Sequence, residues 1–237
     1  MTASALPLTI DVGELQVSGL WLSPSRPTSC FVFAHGAGAG MHHSFMAAMS
    51  EGLCDRGVAT LRYQFPYMER RSKRPDAPAL CHDTVRAAVA GAMKRTQDVP
   101  LFAGGKSFGG RMTSQAQALA ALPGVHGLIF VGFPLHPAGK PADSRGSHLS
   151  DVHVPMLFLQ GDRDELATLD LLRPLIERLG KRAKLRTVEH ADHSFHVPAR
   201  SGRKDAEVRS EMLDVMRDWM MTNSSEPVSP AGKPYGK

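Results

Sequence analysis

Three runs between residues 101 and 161 restrict the fold more than any other feature. LFAGG (101–105), LIFVGF (128–133) and MLFLQG (156–161) are almost unbroken apolar stretches of strand length. A strand that is apolar at every position has to be covered on both faces. The segments between these runs carry helical spacing, which supplies the cover. The pattern predicts an α/β chain with a mostly parallel, twisted sheet and helices on both faces.

The remaining elements fit that plan. Further strands are expected at LTIDV (8–12), LQVSGLWL (15–22), CFVFAH (30–35), VATLRY (58–63) and LRTVE (185–189). Two strands in succession at the start predict an antiparallel N-terminal edge. Phe45, Met49 and Leu53 recur at helical spacing, as do Val85, Val89 and Met93 in a helix with Asp83 or Thr84 as its N-cap. The segment after Ser107 reads as a helix stopping at Pro123-Gly124. Leu172, Ile176 and Leu179 mark another, ending at Gly180. Val208, Met212, Val215 and Trp219 mark the last. Residues 134–155, with Pro134, Pro137, Pro141 and Pro155, read as a long loop at the strand ends, too short for a separate cap domain. The 237 residues predict one domain over 1–222 and a disordered Pro/Gly/Ser-rich tail over 223–237.

Composition excludes several classes. Cys30, Cys54 and Cys81 are too few and too scattered for a disulfide framework or a zinc finger, and read as reduced thiols of a cytoplasmic protein. The N-terminus has no basic start and meets Asp11 early, so no signal peptide is expected. Residues 112–139 lack Asp, Glu, Lys and Arg. Prolines, glycines and glutamines interrupt that stretch, and it reads as helix, turn and buried strand rather than a membrane span. The net charge is +5. Its clusters, ERRSKRPD (69–76) and the stretch 200–209, carry no interleaved aromatics. They read as solvated faces, and neither nucleic acid nor membrane is an expected partner. Nothing in the pattern specifies an oligomeric state.

The chemistry concentrates in three places. Gly105-Lys106-Ser107-Phe108-Gly109 lies between an apolar strand and a helix, the setting of a G-x-S-x-G nucleophile elbow. The sharp turn strains the serine backbone, and glycines two positions to either side remove Cβ clashes. The letters GKS also end a phosphate-binding loop, but that motif needs a glycine where Pro100 stands, so the match fails. Lys106 and Arg111 flank the elbow and read as residues of the loop and helix surface. The second place is His35-Gly36-Ala37-Gly38-Ala39-Gly40, directly after a strand. Loops of this kind lend a backbone N–H to an oxyanion hole, which makes the N–H groups of Ala37 and Phe108 the candidate donors.

The third place is a pair of later clusters. Gly161-Asp162-Arg163-Asp164 follows one strand, and His190-Ala191-Asp192-His193-Ser194-Phe195-His196 follows the next. The order serine, acid, histidine matches one of the known triad orders. Spacing leaves Asp162 and Asp164 both open. Asp192, adjacent to His193, is poorly placed to hold that imidazole. The three histidines lack the cysteine pair or H-E-x-x-H pattern of a metal site, and no metal is expected.

At AHGAGAG (34–40), GGKSFGGRM (104–112), GFPLHPAGKP (132–141), FLQGDRDE (158–165) and HADHSF (190–195) the chain resembles the α/β-hydrolase superfamily, over about residues 8 to 222. More narrowly it is similar to a small dienelactone-hydrolase-like group. That group includes testis-expressed hydrolase-like proteins and the hydrolase domain of an NSL chromatin-complex subunit. The resemblance implies Ser107 as nucleophile, Asp164 as acid and His193 as base. It also implies that RPDAP (74–78) follows the fourth core strand near the pocket. The activity expected is cleavage of short or accessible carboxylic esters, thioesters or lactones, small-molecule substrates all, with no cofactor. A hydrolase fold kept as a non-catalytic interaction module is the alternative.

Overall fold

In the computed structural model, residues 4–96 and 99–224 are described. The apolar runs form the centre of an eight-stranded sheet ordered β1-β2-β4-β3-β5-β6-β7-β8. The strands are β1 (Leu6–Val12), β2 (Leu15–Leu22), β3 (Ser29–Ala34), β4 (Val58–Tyr63), β5 (Leu101–Lys106), β6 (Val125–Val131), β7 (Met156–Gly161) and β8 (Ala183–Val188). β1 pairs with β2, and β2 with β4, antiparallel. Every pairing from β4 to β8 is parallel.

Burial follows position in the sheet. β3, β4 and β7 are buried at every residue, whereas β8 alternates along most of its length. Within a buried strand, successive side chains enter different cores. Val32, Phe130 and Phe158 join one, with Val85 and Val89. Phe31, Phe33, Ile129 and Leu157 join the other, with Met212, Met216 and Trp219. That period of two is the reason helices are needed on both faces. α3 (Pro78–Met93), α4 (Phe108–Leu119) and α5 (Leu169–Leu179) cover one face. α1 (Ser44–Cys54) and α6 (Asp205–Asn223) cover the other, and a single turn, α2 (Pro66–Glu69), follows β4.

Several expectations change. α3 starts at Pro78, with Ala77 as its cap, not at Asp83 or Thr84. A first-turn proline has no N–H to leave unpaired, and Thr84 lies inside the helix with its hydroxyl on the Leu80 carbonyl, 2.7 Å away. Met93 is exposed rather than core. α4 ends at Leu119, before Pro123, because Ala120 is already extended. Residues 134–155 include a 3₁₀ segment, Ser144–Asp151, that packs on α4 and α5. The cations of the basic loop, Arg70, Arg71, Lys73 and Arg74, are exposed. No described helix is long and apolar enough to cross a membrane. α6 runs to Asn223, one residue past the expected boundary, and tail residues 225–237 lie outside the described residues.

Candidate active site

The elbow follows from sterics. Ser107 sits at φ 49 and ψ −116, between the end of β5 and the first turn of α4. Such a conformation costs a non-glycine residue about 1–3 kcal/mol and persists only where the surroundings impose it. The surroundings here are too close for side chains. A Cβ on Gly105 would stand 2.6 Å from the Ala34 carbonyl oxygen, and one on Gly109 2.5 Å from that of His35. The turn therefore rests directly on the end of β3, and Gly36 lies beside Ser107.

The structure brings Ser107, His193 and Asp164 together. His193 Nε2 is 2.8 Å from Ser107 Oγ, and His193 Nδ1 is 2.7 Å from Asp164 Oδ2. A carboxylate accepts only, so Nδ1 carries the proton and Nε2 is free to accept from the serine hydroxyl. The Asp164 side chain is fully buried while that of His193 is 25% exposed, so water reaches the imidazole but not the acid. Asp164 is further held by the Leu166 N–H on Oδ1, 2.8 Å away, and by the Gln160 amide on Oδ2. Gln160 in turn accepts from the Phe133 N–H at 2.9 Å.

The other candidates separate from this chain. Asp162 is exposed. Asp192 accepts from the N–H groups of Ser194 and His196, at 2.8 and 2.9 Å, and shapes the loop that carries His193. His190 faces Arg163 and His196 faces Asp205, so the three histidines do not converge. Ala37 lines the cavity. Phe108 is the first residue of α4, where helix geometry leaves the N–H without an intrahelical acceptor. Residues 74–78 follow β4 as expected but do not line the cavity, and neither does 134–155.

Three contributors escaped the sequence reading. His35, fully buried, donates from Nδ1 to the Gly36 carbonyl (2.8 Å) and accepts at Nε2 from the Phe65 N–H (3.1 Å). Burial lowers its pKa to about 4 and keeps it neutral. Gln160 lies inside an apolar strand, and only its single polar letter marked it. Lys106 is not a surface residue. Its ammonium donates to the His193 carbonyl at 2.7 Å, and burial pushes its pKa down to about 8 against the pull of Asp164 and Asp192. Arg111 is half-buried, with its guanidinium 6.0 Å from the Phe108 ring centroid.

The cavity over Ser107 measures about 390 Å³. Phe45, Met46 and Leu166 give it apolar walls, and its basic groups are His43, Lys106 and His193.

Residues 27–221 match the alpha/beta hydrolase domain family. The chain belongs to that family. Among solved structures it is similar to dienelactone hydrolase from Anabaena variabilis, with TM-score 0.76, 21% identity, and coverage of 94% of this chain and 100% of that one. It is also similar to an α/β serine hydrolase without lid from Xanthomonas campestris, with TM-score 0.73, 22% identity, and coverage of 94% and 97%. These likenesses concern the hydrolase fold. A Mycobacterium tuberculosis protein described as a "putative phosphoribosyl transferase" is 28% identical over 192 residues, 80% of this chain. This alpha/beta hydrolase domain spans only 42% of that relative's length.

Proposed function

We propose that this alpha/beta hydrolase is a serine hydrolase that cleaves carboxylic esters through an acyl-enzyme. The observation that carries the reading is the unbroken hydrogen-bond chain from Ser107 through His193 to buried Asp164. Ser107 Oγ attacks the ester carbonyl carbon while His193 Nε2 takes its proton. The oxyanion is held by the N–H groups of Ala37 and Phe108, and each such donor contributes about 3 kcal/mol in comparable sites. The carbon–oxygen bond to the alcohol breaks as His193 returns the proton to the leaving oxygen. Water then attacks the acyl-enzyme, gives its proton to His193, and releases the acid and the free serine. Asp164 holds the imidazole tautomer and balances the imidazolium.

An apolar cavity of about 390 Å³ supports short acyl groups. Thioesters and lactones react through the same steps. The narrower likeness to the testis-expressed and NSL-subunit group rests on the same segments and belongs with this reading.

The test is fluorophosphonate labelling of the full chain with mass-spectrometric mapping. Ser107 is expected to be modified, and His193→Ala to lose the modification. Folded protein that takes no label would move the assignment to an interaction module. On a series of p-nitrophenyl esters the optimum is expected at short chains, and a long-chain optimum would contradict the cavity argument.

A further inference from the structure

The elbow lysine has no part in the proton relay just described, yet it is built into it. Lys106 is the last residue of β5, immediately before Ser107. Its ammonium reaches across to the loop after β8 and donates to the His193 carbonyl at 2.7 Å. Among the described residues, that is the one hydrogen bond made by the His193 main chain. The ammonium also lies 5.6 Å from the Phe195 ring centroid.

β6 leaves room for this contact. Gly132, just past its end, has φ 70, and a Cβ there would stand 3.1 Å from Lys106 Nζ and 3.4 Å from His193 Cε1. The loop that carries His193 needs a brace. His190 and Phe195 both hold a positive φ of 62, a conformation that side-chain-bearing residues adopt only under constraint.

We propose that Lys106 is a positioning residue. Its ammonium ties the His193 main chain to β5, so that the serine and the imidazole ride on one braced unit. The inference rests on the hydrolase reading above, because it assigns the brace to that reaction. A 1 Å misplacement of a catalytic group can cost about a hundredfold in rate. The groups facing the ammonium are Asp164 from the loop after β7, and Asp192 and His193 from the loop after β8. His43, from the loop after β3, lines the same cavity. Loss of the ammonium proton, near pH 8, turns a charge-assisted bond into a weaker neutral one.

The test compares Lys106→Met and Lys106→Arg with the wild type in the full chain. Three readouts are used: kcat and KM for p-nitrophenyl acetate against pH, Tm, and the downfield proton resonance of the His193–Asp164 hydrogen bond. Lys106→Met is expected to lower kcat by roughly 10- to 100-fold, to change KM little, and to lack the wild-type fall in kcat above about pH 8. It is also expected to lose the resonance through exchange. Lys106→Arg keeps the charge at all working pH values. It is expected to recover most of kcat, to hold that rate above about pH 8 without the wild-type fall, and to restore the resonance.

A Lys106→Met enzyme with wild-type kcat, pH profile and resonance would overturn the proposal. So would equal kcat losses in both variants that follow their losses in Tm, since that pattern belongs to packing alone. If the wild type neither labels nor hydrolyses, the hydrolase reading falls, and the resonance still decides whether Lys106 holds the imidazole.

Discussion

The two walls of the cavity are built in opposite ways. The wall from β5 and the loop after β8 presents side chains, Lys106, Ser107 and His193, with Asp164 buried behind them. The wall from the loop after β3 presents mainly backbone, at Gly36, Ala37 and Ala39, with His43 as its one large side chain, and the side chains that support it stand behind. His35 bridges Gly36 to Phe65. Tyr67 accepts from the Gly38 N–H at 3.3 Å, Gln64 accepts from the Met41 N–H at 2.8 Å, and Arg62 donates to the Met41 carbonyl at 2.9 Å. On the first wall, function is exposed to substitution at the lining residues themselves. On the second, the lining side chains matter little, and the sensitive positions are the supports behind them.

The largest expected effect lies on the side-chain wall. Ser107→Ala and His193→Ala should each lower kcat for a p-nitrophenyl ester by about a thousandfold or more, and by similar amounts, because triad members act as a unit. Steady-state kinetics on both variants checks this. Markedly unequal losses would show that the hydroxyl and the imidazole do not work together.

A smaller effect is expected from the support of the backbone wall. His35 has its pKa lowered from 6.5 to about 4 by burial. As pH falls below about 6.5, the unfolded chain takes up the proton before the folded one does, so stability is lost between about pH 6.5 and 4. The loss from this group is on the order of 3 kcal/mol. Urea midpoints across that range should fall with acid. His148 adds to the trend, since burial and nearby Arg111 lower its pKa to about 4 as well. His35→Ala removes the His35 share but leaves the buried Phe65 N–H unpaired and opens a cavity. It should cost roughly 2–4 kcal/mol at neutral pH. A His35→Ala protein as stable as the wild type at pH 7 would remove this histidine from the support.

The smallest effect is the sharpest check on the difference between the walls. Ala37→Ser changes a lining side chain on the backbone wall and leaves its N–H in place. It should alter kcat/KM by less than about threefold, against about 3 kcal/mol for losing the donor itself. A hundredfold drop would mean that the side chain at 37, and not the main chain, meets the substrate.

Much of the architecture was legible because each buried strand needs apolar residues at every position, a pattern that survives in one dimension. LIFVGF and MLFLQG announced β6 and β7 in this way. Element ends were less legible. α3 begins at Pro78, where the second proline of RPDAP reads as loop, and α4 stops at Leu119 although the breaker dipeptide comes later. At the site, Ser107 was legible because a strained turn demands glycines at fixed offsets from it. The choice between Asp162 and Asp164 was not, since both lie in one turn and only the three-dimensional path decides which carboxylate is buried.

The amino-acid order by itself determined the layers, the strained serine and the succession of serine, acid and histidine, because backbone sterics and hydrophobic periodicity act over a few neighbouring residues. Only the tertiary structure decided which imidazole meets Ser107, that Gln160 and His35 hold the machinery from inside the core, and that Lys106 turns inward to His193. The longer of those contacts join residues 27 to 87 positions apart, from Phe133 to Gln160 and from Lys106 to His193, and no local rule of the chain carries the direction in which a long side chain will point.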